Sequence, residues 1–259
     1  MVLTTSQSAM ERWFTKNNMR EVITTIKRNK QIAPGVYELV LTGDVNDCNR
    51  PGTFVHIQID GCYLRRPISI CNWKKNELTL LYKVLGHGTE KLTKAKGKLN
   101  ILTNLGTGYN LKNAKKHTLL IGGGIGIPPL FFLAKELIKR NIDVTVIMAF
   151  NTKKDQFYVN EFKKIGAKVI ITTVDGSCGV KGFAMDAMKN LKYDYLYTCG
   201  PMAMLKAIFN MTDGMGEYSL EERMGCGTGT CMGCTIETRN GPKQVCKHGP
   251  VFCGKELLW

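Results

Sequence analysis

The sequence predicts a multi-domain β plus α/β protein, in which an N-terminal antiparallel β-barrel precedes a central parallel-sheet domain and a small cysteine-rich domain. Three observations carry this prediction: a period-two alternation from about position 21 to 108, a later strand, glycine-loop and helix rhythm, and five of ten cysteines between positions 226 and 253. The expected boundaries are an extension at 1–20, the barrel at 21–112, the α/β domain at 113–220 and the cysteine-rich domain at 221–259.

The composition is that of a folded protein, with 259 residues, 44% apolar and 22% charged. The net charge is +15, but no run of five lysines or arginines occurs, which favours a solvated basic surface over a nucleic-acid or membrane site. Residues 1–20 lack the apolar core of a secretory signal, and glycines and prolines interrupt the uncharged segment 118–134. We therefore expect a cytoplasmic protein.

The barrel is predicted from runs in which apolar and polar residues alternate. The run 55–60 reads Val-His-Ile-Gln-Ile-Asp, and a similar run covers 77–85. Turn signals such as Pro34-Gly35 and Pro51-Gly52 separate these runs. Half-buried antiparallel strands have this pattern, with one apolar face and one polar face.

The α/β domain is predicted from short buried strands that alternate with helices. Strands are expected at 118–121, 143–150, 168–174 and 195–198, and helices at 128–140, 157–165 and 202–211. The first helix has one apolar face, which consists of Leu130, Leu133, Ala134, Leu137 and Ile138. Such alternation is typical of a parallel sheet.

Four cysteines in the tail have the spacing of a plant-type 2Fe-2S site, C-x4-C-x2-C and then a distant cysteine. The four are Cys226, Cys231, Cys234 and Cys246. A structural zinc site is the alternative, although zinc ribbons usually have two short cysteine pairs and this tail has one. Cys253 is a spare thiol with a structural role.

Apolar periodicity nearly vanishes beyond position 221, which predicts a tail stabilised by something other than a hydrophobic core.

Two segments of the barrel have the chemistry of a phosphate site. The first, 65–70, reads Arg-Arg-Pro-Ile-Ser-Ile and is expected to close a strand. In the second, 83–89, a strand ends in glycines and a threonine, where backbone N–H groups could bind phosphate. Arg66 would supply a planar charged group for a pyrophosphate. An exposed arginine pair taken alone is more often a solvated surface.

A glycine-rich loop between a strand and a helix predicts a nucleotide site. It contains Gly122, Gly123, Gly124 and Gly126, but Pro129 replaces the third glycine of the Rossmann fingerprint. The acidic residue expected after the second strand is not in place, so NAD and NADP remain alternatives. Two further motifs follow strands, Cys199-Gly200-Pro201 and Asp175-Gly176-Ser177, and we expect them to share one crevice with the glycine loop.

Residues 21–212 resemble the ferredoxin-reductase family of flavoproteins in the Arg-x-x-Ser, glycine-loop and Cys-Gly-Pro motifs. With the cysteine tail, nearly the whole chain is similar to the electron-transfer subunits of dihydroorotate dehydrogenase B. The resemblance implies the four tail cysteines as cluster ligands. It implies FAD on the barrel, with contacts from Arg66, Pro67, Ile68, Ser69, Lys83, Val84, Leu85, Gly88 and Thr89. Ile68 stands where many reductases have an aromatic residue that stacks on the flavin.

The resemblance also implies a partner, an FMN-containing catalytic subunit that oxidises dihydroorotate to orotate in pyrimidine biosynthesis. A heterotetramer with two of each subunit is expected, with electrons passing through the cluster and FAD to NAD⁺. No catalytic acid or base is expected in this chain. One alternative is the subunit of a ferredoxin:NADP or sulfide-type reductase, in which aspartate can replace the first tail cysteine. Another is a zinc-stapled nucleic-acid-binding protein, which leaves the barrel and loop motifs unexplained.

Overall fold

A computed structural model of the chain describes residues 19–259. The first part is a closed antiparallel barrel with the strand order β1-β2-β5-β4-β3-β6. Its strands are β1 (Arg20–Ala33), β2 (Val36–Thr42), β3 (Phe54–Ile57), β4 (Arg66–Lys74), β5 (Glu77–Lys83) and β6 (Lys98–Leu105), and helix α1 (His87–Thr93) connects the last two. The predicted barrel is confirmed.

The barrel is closed around apolar residues from facing strands. Leu39 and Leu41 of β2 lie opposite Leu80 and Leu78 of β5, and all four side chains are fully buried. Phe132, from a helix of the following domain, packs against the same cluster. The barrel and the next domain therefore share apolar contacts, whose burial favours a fixed arrangement.

The central sheet begins with six parallel strands in the order β10-β9-β8-β7-β11-β12. They are β7 (His117–Gly123), β8 (Asp143–Phe150), β9 (Lys168–Thr173), β10 (Val180–Lys181), β11 (Tyr195–Cys199) and β12 (Glu217–Ser219). The helices between them are α2 (Pro128–Ile138), α3 (Val159–Lys164), α4 (Ala184–Met188) and α5 (Met202–Thr212). The sequence missed β10, α4 and β12, each at most five residues long.

The tail forms the hairpin β13 (Thr235–Ile236) and β14 (Lys243–Gln244), then α6 (Val245–His248) and β15 (Val251–Cys253). Strand β15 pairs antiparallel with β12 and becomes the seventh strand of the central sheet. Phe252 and Leu257 are buried in its apolar cluster. The expectation that the tail does without a hydrophobic core is therefore wrong, because a strand too short for a clear period is buried against a neighbouring domain.

The Arg-Arg-Pro-Ile-Ser-Ile segment starts a strand and does not close one, so that prediction is wrong. Arg66 is the first residue of β4, and the strand continues to Lys74. The preceding residues form the turn between β3 and β4, which the sequence pattern alone did not locate.

Among residues 19–259, no helix is both long and apolar enough to cross a membrane.

Candidate functional site

The four tail thiols lie as two pairs. The Sγ atom of Cys226 accepts hydrogen bonds from the backbone N–H groups of Thr228, Thr230 and Cys231 at 3.3–3.4 Å. In return, the N–H of Cys226 points at the Sγ atom of Cys231 at 3.5 Å. The second pair is linked in the same way, since the N–H of Cys246 donates to the Sγ atom of Cys234 at 3.4 Å. Backbone donors around cysteine sulfurs are what an iron–sulfur cluster requires.

Two of the four thiols have pKa values that are shifted in opposite directions. Burial raises the pKa of Cys226, but hydrogen bonds from Thr228 and Cys231 outweigh it and hold the pKa at about 6. Burial, together with Cys234, raises the pKa of Cys246 to about 12. Bound iron would favour the thiolate at both positions, because thiols bind metals in the deprotonated form.

A 2Fe-2S cluster distributes four thiolates over two irons, so each iron needs two protein ligands. Two separate thiol pairs match that requirement. Within residues 19–259, no three histidine, cysteine, aspartate or glutamate side chains are grouped to hold a single metal ion.

The tail hairpin holds the two thiol pairs in place. Gln244, at the end of β14, donates its side-chain N–H to the carbonyl of Gly229 at 2.8 Å. Val245 donates its backbone N–H to the carbonyl of Cys234 at 3.0 Å. Cys231 is exposed at the surface, whereas Cys234 and Cys246 are buried. One side of the site is therefore open to a partner and the other is insulated.

The predicted flavin contacts lie around one end of β4 and β5. The guanidinium of Arg66 covers Gly88, where a Cβ atom would lie 2.7 Å from the Cζ atom of Arg66. Only glycine allows the guanidinium to approach the start of α1 this closely. The hydroxyl of Thr89 accepts the N–H groups of Leu85 and Gly86 at 3.0 and 3.2 Å, which fixes the loop after β5. A preformed loop beside a planar cation fits a pyrophosphate.

The other predicted contacts belong to the same surface. Arg66, Pro67, Ile68 and Ser69 are all partly exposed, whereas an ordinary strand would alternate buried and exposed residues. Lys83 and Leu85 are exposed and Val84 is half-buried. Leu85 keeps 77% of its surface accessible. The apolar side chains of this exposed strip are better suited to contact with an apolar ring system than to contact with bulk water.

His56 is a residue of this region that the sequence pattern misplaced. The alternation of 55–60 put it on the polar face of a strand, yet its ring is fully buried. The tail loop covers this face of β3, and a Cβ atom on Gly227 would lie 2.5 Å from the ring Nδ1 atom. Burial first, and then the charge of Arg65, lowers the pKa of His56 to about 4. The pattern of a single strand could not predict this burial, because the covering loop at Gly227 lies far from β3 in the chain.

The nucleotide motifs come together at the carboxyl ends of the central strands. Cys199 pairs with Gly122 in the register of β11 and β7. A Cβ atom on Gly126 would lie 2.6 Å from the Cα atom of Gly200, so the glycine loop packs against the Cys-Gly-Pro segment. A Cβ atom on Gly123 would lie 3.0 Å from the Cδ atom of Pro201. All seven predicted nucleotide contacts therefore border one place in the sheet, where parallel α/β sheets bind ligands.

The third motif, Asp175-Gly176-Ser177, lies one loop further along the same edge. The hydroxyl of Ser177 accepts the N–H of Lys153 at 2.8 Å and donates to Asp175 at 2.6 Å. These bonds join the loops after β8 and β9. Strand β9 lies two strands from β7 in the sheet, so the motif lies along the same edge as the glycine loop but not directly beside it in the strand order.

Comparison with known proteins identifies relatives over most of the chain. Residues 221–258 match the family model described as the iron-sulfur cluster binding domain of dihydroorotate dehydrogenase B. The electron transfer subunit of dihydroorotate dehydrogenase B (NAD(+)) from Geobacillus sp. (strain WCH70) is 43% identical over 93% of this chain and 99% of its own length. Its counterpart from Fusobacterium nucleatum is 40% identical over 90% of this chain and 96% of its own.

Solved structures are similar in fold. An NADH-dependent reduced ferredoxin-NADP oxidoreductase matches with a TM-score of 0.82 and 30% identity, over 91% of this chain and 90% of its own. Phthalate dioxygenase reductase matches with a TM-score of 0.65 and 16% identity, over 87% of this chain and 88% of its own. The second likeness concerns the fold alone.

Proposed function

We propose the function from one premise: this chain belongs to the family of electron transfer subunits of dihydroorotate dehydrogenase B (NAD(+)). The family expected from the motifs is thereby confirmed. The chain passes electrons from a catalytic subunit, through a 2Fe-2S cluster and FAD, to NAD⁺.

One observation carries this proposal, the contact between the thiol loop and the barrel. Gly227 lies against His56 of β3. Strand β3 pairs with β4, where His56 lies opposite Pro67 of the predicted flavin surface. A cluster at the thiols and a flavin on β4 would thus be separated by about one strand spacing and the groups themselves. Such a separation suits direct electron transfer.

The residues have separate roles in this proposal. Cys226, Cys231, Cys234 and Cys246 hold the cluster, and their backbone donors stabilise its negative sulfurs. Arg66 neutralises the pyrophosphate of FAD, and the half-exposed side chains of β4 and the β5 end pack along the flavin. A bound flavin exchanges electrons singly with a cluster and in pairs with a nicotinamide. The glycine loop and Cys199-Gly200-Pro201 bind NAD⁺ beside it.

The partner is an FMN-containing dihydroorotate dehydrogenase subunit, in a heterotetramer of two and two that works in the cytoplasm in pyrimidine biosynthesis. The exposed thiol Cys231 and its neighbour Met232, 59% exposed, supply an open face for such a partner. In this proposal, the acid or base for the oxidation of dihydroorotate belongs to that partner.

The test is co-expression with an FMN-type dihydroorotate dehydrogenase, followed by co-purification and an assay of dihydroorotate-dependent NADH formation. We expect a stable complex that contains iron, sulfide, FMN and FAD. A variant complex with Arg66→Ala tests the flavin site separately from assembly. It should assemble and retain the cluster but form NADH at least tenfold more slowly. Failure of the two chains to associate would contradict the proposed partner.

The ferredoxin-NADP relative supports a second candidate, a subunit of a ferredoxin:NADP reductase, because its structure matches most of the chain. The 43% identity to the dihydroorotate relatives, against 30% to that protein, favours the first. Ferredoxin-dependent NADPH formation without any response to dihydroorotate would reverse this preference. Zinc in place of iron and sulfide would support the zinc-stapled alternative.

A further inference from the structure

His56 is a buried polar side chain that lacks hydrogen-bond partners. Its exposure is 0%, and neither ring nitrogen has a hydrogen-bond partner among residues 19–259. Buried polar groups in folded proteins are nearly always paired, because an unpaired one forfeits its bonds to water. A fully buried imidazole whose two nitrogens have no partner among these residues therefore points to an acceptor outside the described polypeptide.

The ring faces the thiol loop. Gly227 lies against it, and a Cβ atom there would lie 2.5 Å from Nδ1 and 3.0 Å from Nε2. The backbone of Cys226 is a polar neighbour of the ring, yet neither ring nitrogen forms a hydrogen bond of acceptable geometry with it. Phe54 lies on another side, with its ring edge-on at 6.2 Å between centroids. The polar edge of the ring thus has the loop as its neighbour, and its apolar surroundings belong to the barrel.

We infer that His56 donates a ring N–H to a sulfur of the cluster half bound by Cys226 and Cys231, and so sets the reduction potential of the cluster. The inference rests on the proposed function, which puts the cluster at these thiols. Imidazole has at least one N–H whether or not it is protonated, so the donor is present in both forms. His56 is a positioning residue, since it acts on the potential and takes no electron itself.

The sign of the effect follows from charge. Reduction adds an electron to a cluster whose sulfurs are already negative, so an N–H donor stabilises the reduced form more than the oxidised form. His56 therefore raises the potential of the cluster. Because His56 lies opposite Pro67 on the flavin strand, the same residue connects the cluster loop to the flavin surface.

The test uses the full chain loaded with FAD and cluster, titrated electrochemically and followed by the EPR signal of the reduced cluster. His56→Phe keeps a planar ring but removes the donor, and we expect the equilibrium constant for cluster reduction to fall about tenfold, about 59 mV for one electron. His56→Gln keeps an N–H donor, so the potential of its cluster should lie close to that of the wild-type cluster. Thr172→Val is the control, because Thr172 is also buried with an unpartnered polar atom but lies in β9. It should leave the potential unchanged.

A second measurement needs no variant at position 56. With ¹⁵N-labelled histidine, pulsed EPR of the reduced wild-type cluster should detect a histidine nitrogen coupled through a hydrogen bond. His248, near Cys246 in α6, is the competing source, so the coupling should persist in His248→Gln. Absence of the coupling, its loss in His248→Gln, or an unchanged potential in a loaded His56→Phe protein would overturn the inference. A wild-type chain without iron and sulfide would instead refute the proposed function.

Discussion

Gly227 is the residue at which the tail meets the barrel. Its φ of +70° lies in the left-handed region, and the His56 ring occupies the space where a side chain would begin. Two separate requirements, backbone conformation and close approach, therefore select glycine here. The spacing of the cysteines predicted the loop, but it contained no information about what the loop covers.

We expect Gly227→Ala to destabilise the tail and lower its iron content. The left-handed conformation costs an alanine about 1–2 kcal/mol, and the clash with a buried ring adds about 1–3 kcal/mol. Gly241→Ala is the matched control, since Gly241 has a φ of +85° but nothing within 4 Å of its Cβ position. The measurements are denaturant unfolding and iron per chain. Equal losses in the two variants would contradict a contact with His56.

Strand β15 shows how an element can decide the architecture when its sequence pattern is weak. Its three residues pair with all three residues of β12, and Tyr218 lies opposite Phe252. Without β15, β12 would be an unprotected edge of the sheet. The backbone of Thr107, after β6, also donates to the carbonyl of Gly249 at 2.8 Å. The tail therefore fastens the barrel and the sheet together.

We expect Phe252→Ala to reduce the free energy of unfolding by about 3–5 kcal/mol, since it empties a buried aromatic site. Phe252 is 3% exposed and packs on Gly249, so the thiol of Cys246 should shift and the iron content should fall as well. Leu258→Ala, at a side chain that is 51% exposed, is the control and should change little. Thermal unfolding and iron analysis test both; an unaffected Phe252→Ala protein would show that β15 is dispensable.

At the scale of the whole molecule, the three predicted sites lie on three connected parts of the fold. The thiol loop contacts the barrel at His56, the flavin surface lies on the adjacent strand, and the glycine loop lies at the carboxyl ends of the sheet. Helix α2 joins barrel and sheet through Phe132. We expect a chain organised this way to exchange electrons at both ends, while dihydroorotate is oxidised in the partner subunit.

We expect the loaded chain without its partner to oxidise NADH with ferricyanide as acceptor but not to oxidise dihydroorotate. In Arg66→Ala, FAD affinity and NADH oxidation should both fall at least tenfold while the cluster spectrum persists, because the pyrophosphate loses its cation. Arg65→Ala is the control, since Arg65 instead donates to Glu21 and Asn100, each at 2.7 Å. Dihydroorotate oxidation by the isolated chain would contradict this division of labour.

The sequence by itself determined the three-part organisation, the long strands and helices, and the candidate ligands, because each depends on local periodicity or spacing. Cysteine spacing predicted the thiol loop, and a glycine loop between strand and helix predicted the nucleotide edge. The tertiary structure decided the burial of His56, the entry of β15 into the central sheet and the start of β4 at Arg66. These features depend on contacts between segments far apart in the chain, where burial and pairing override a local pattern of polar and apolar residues.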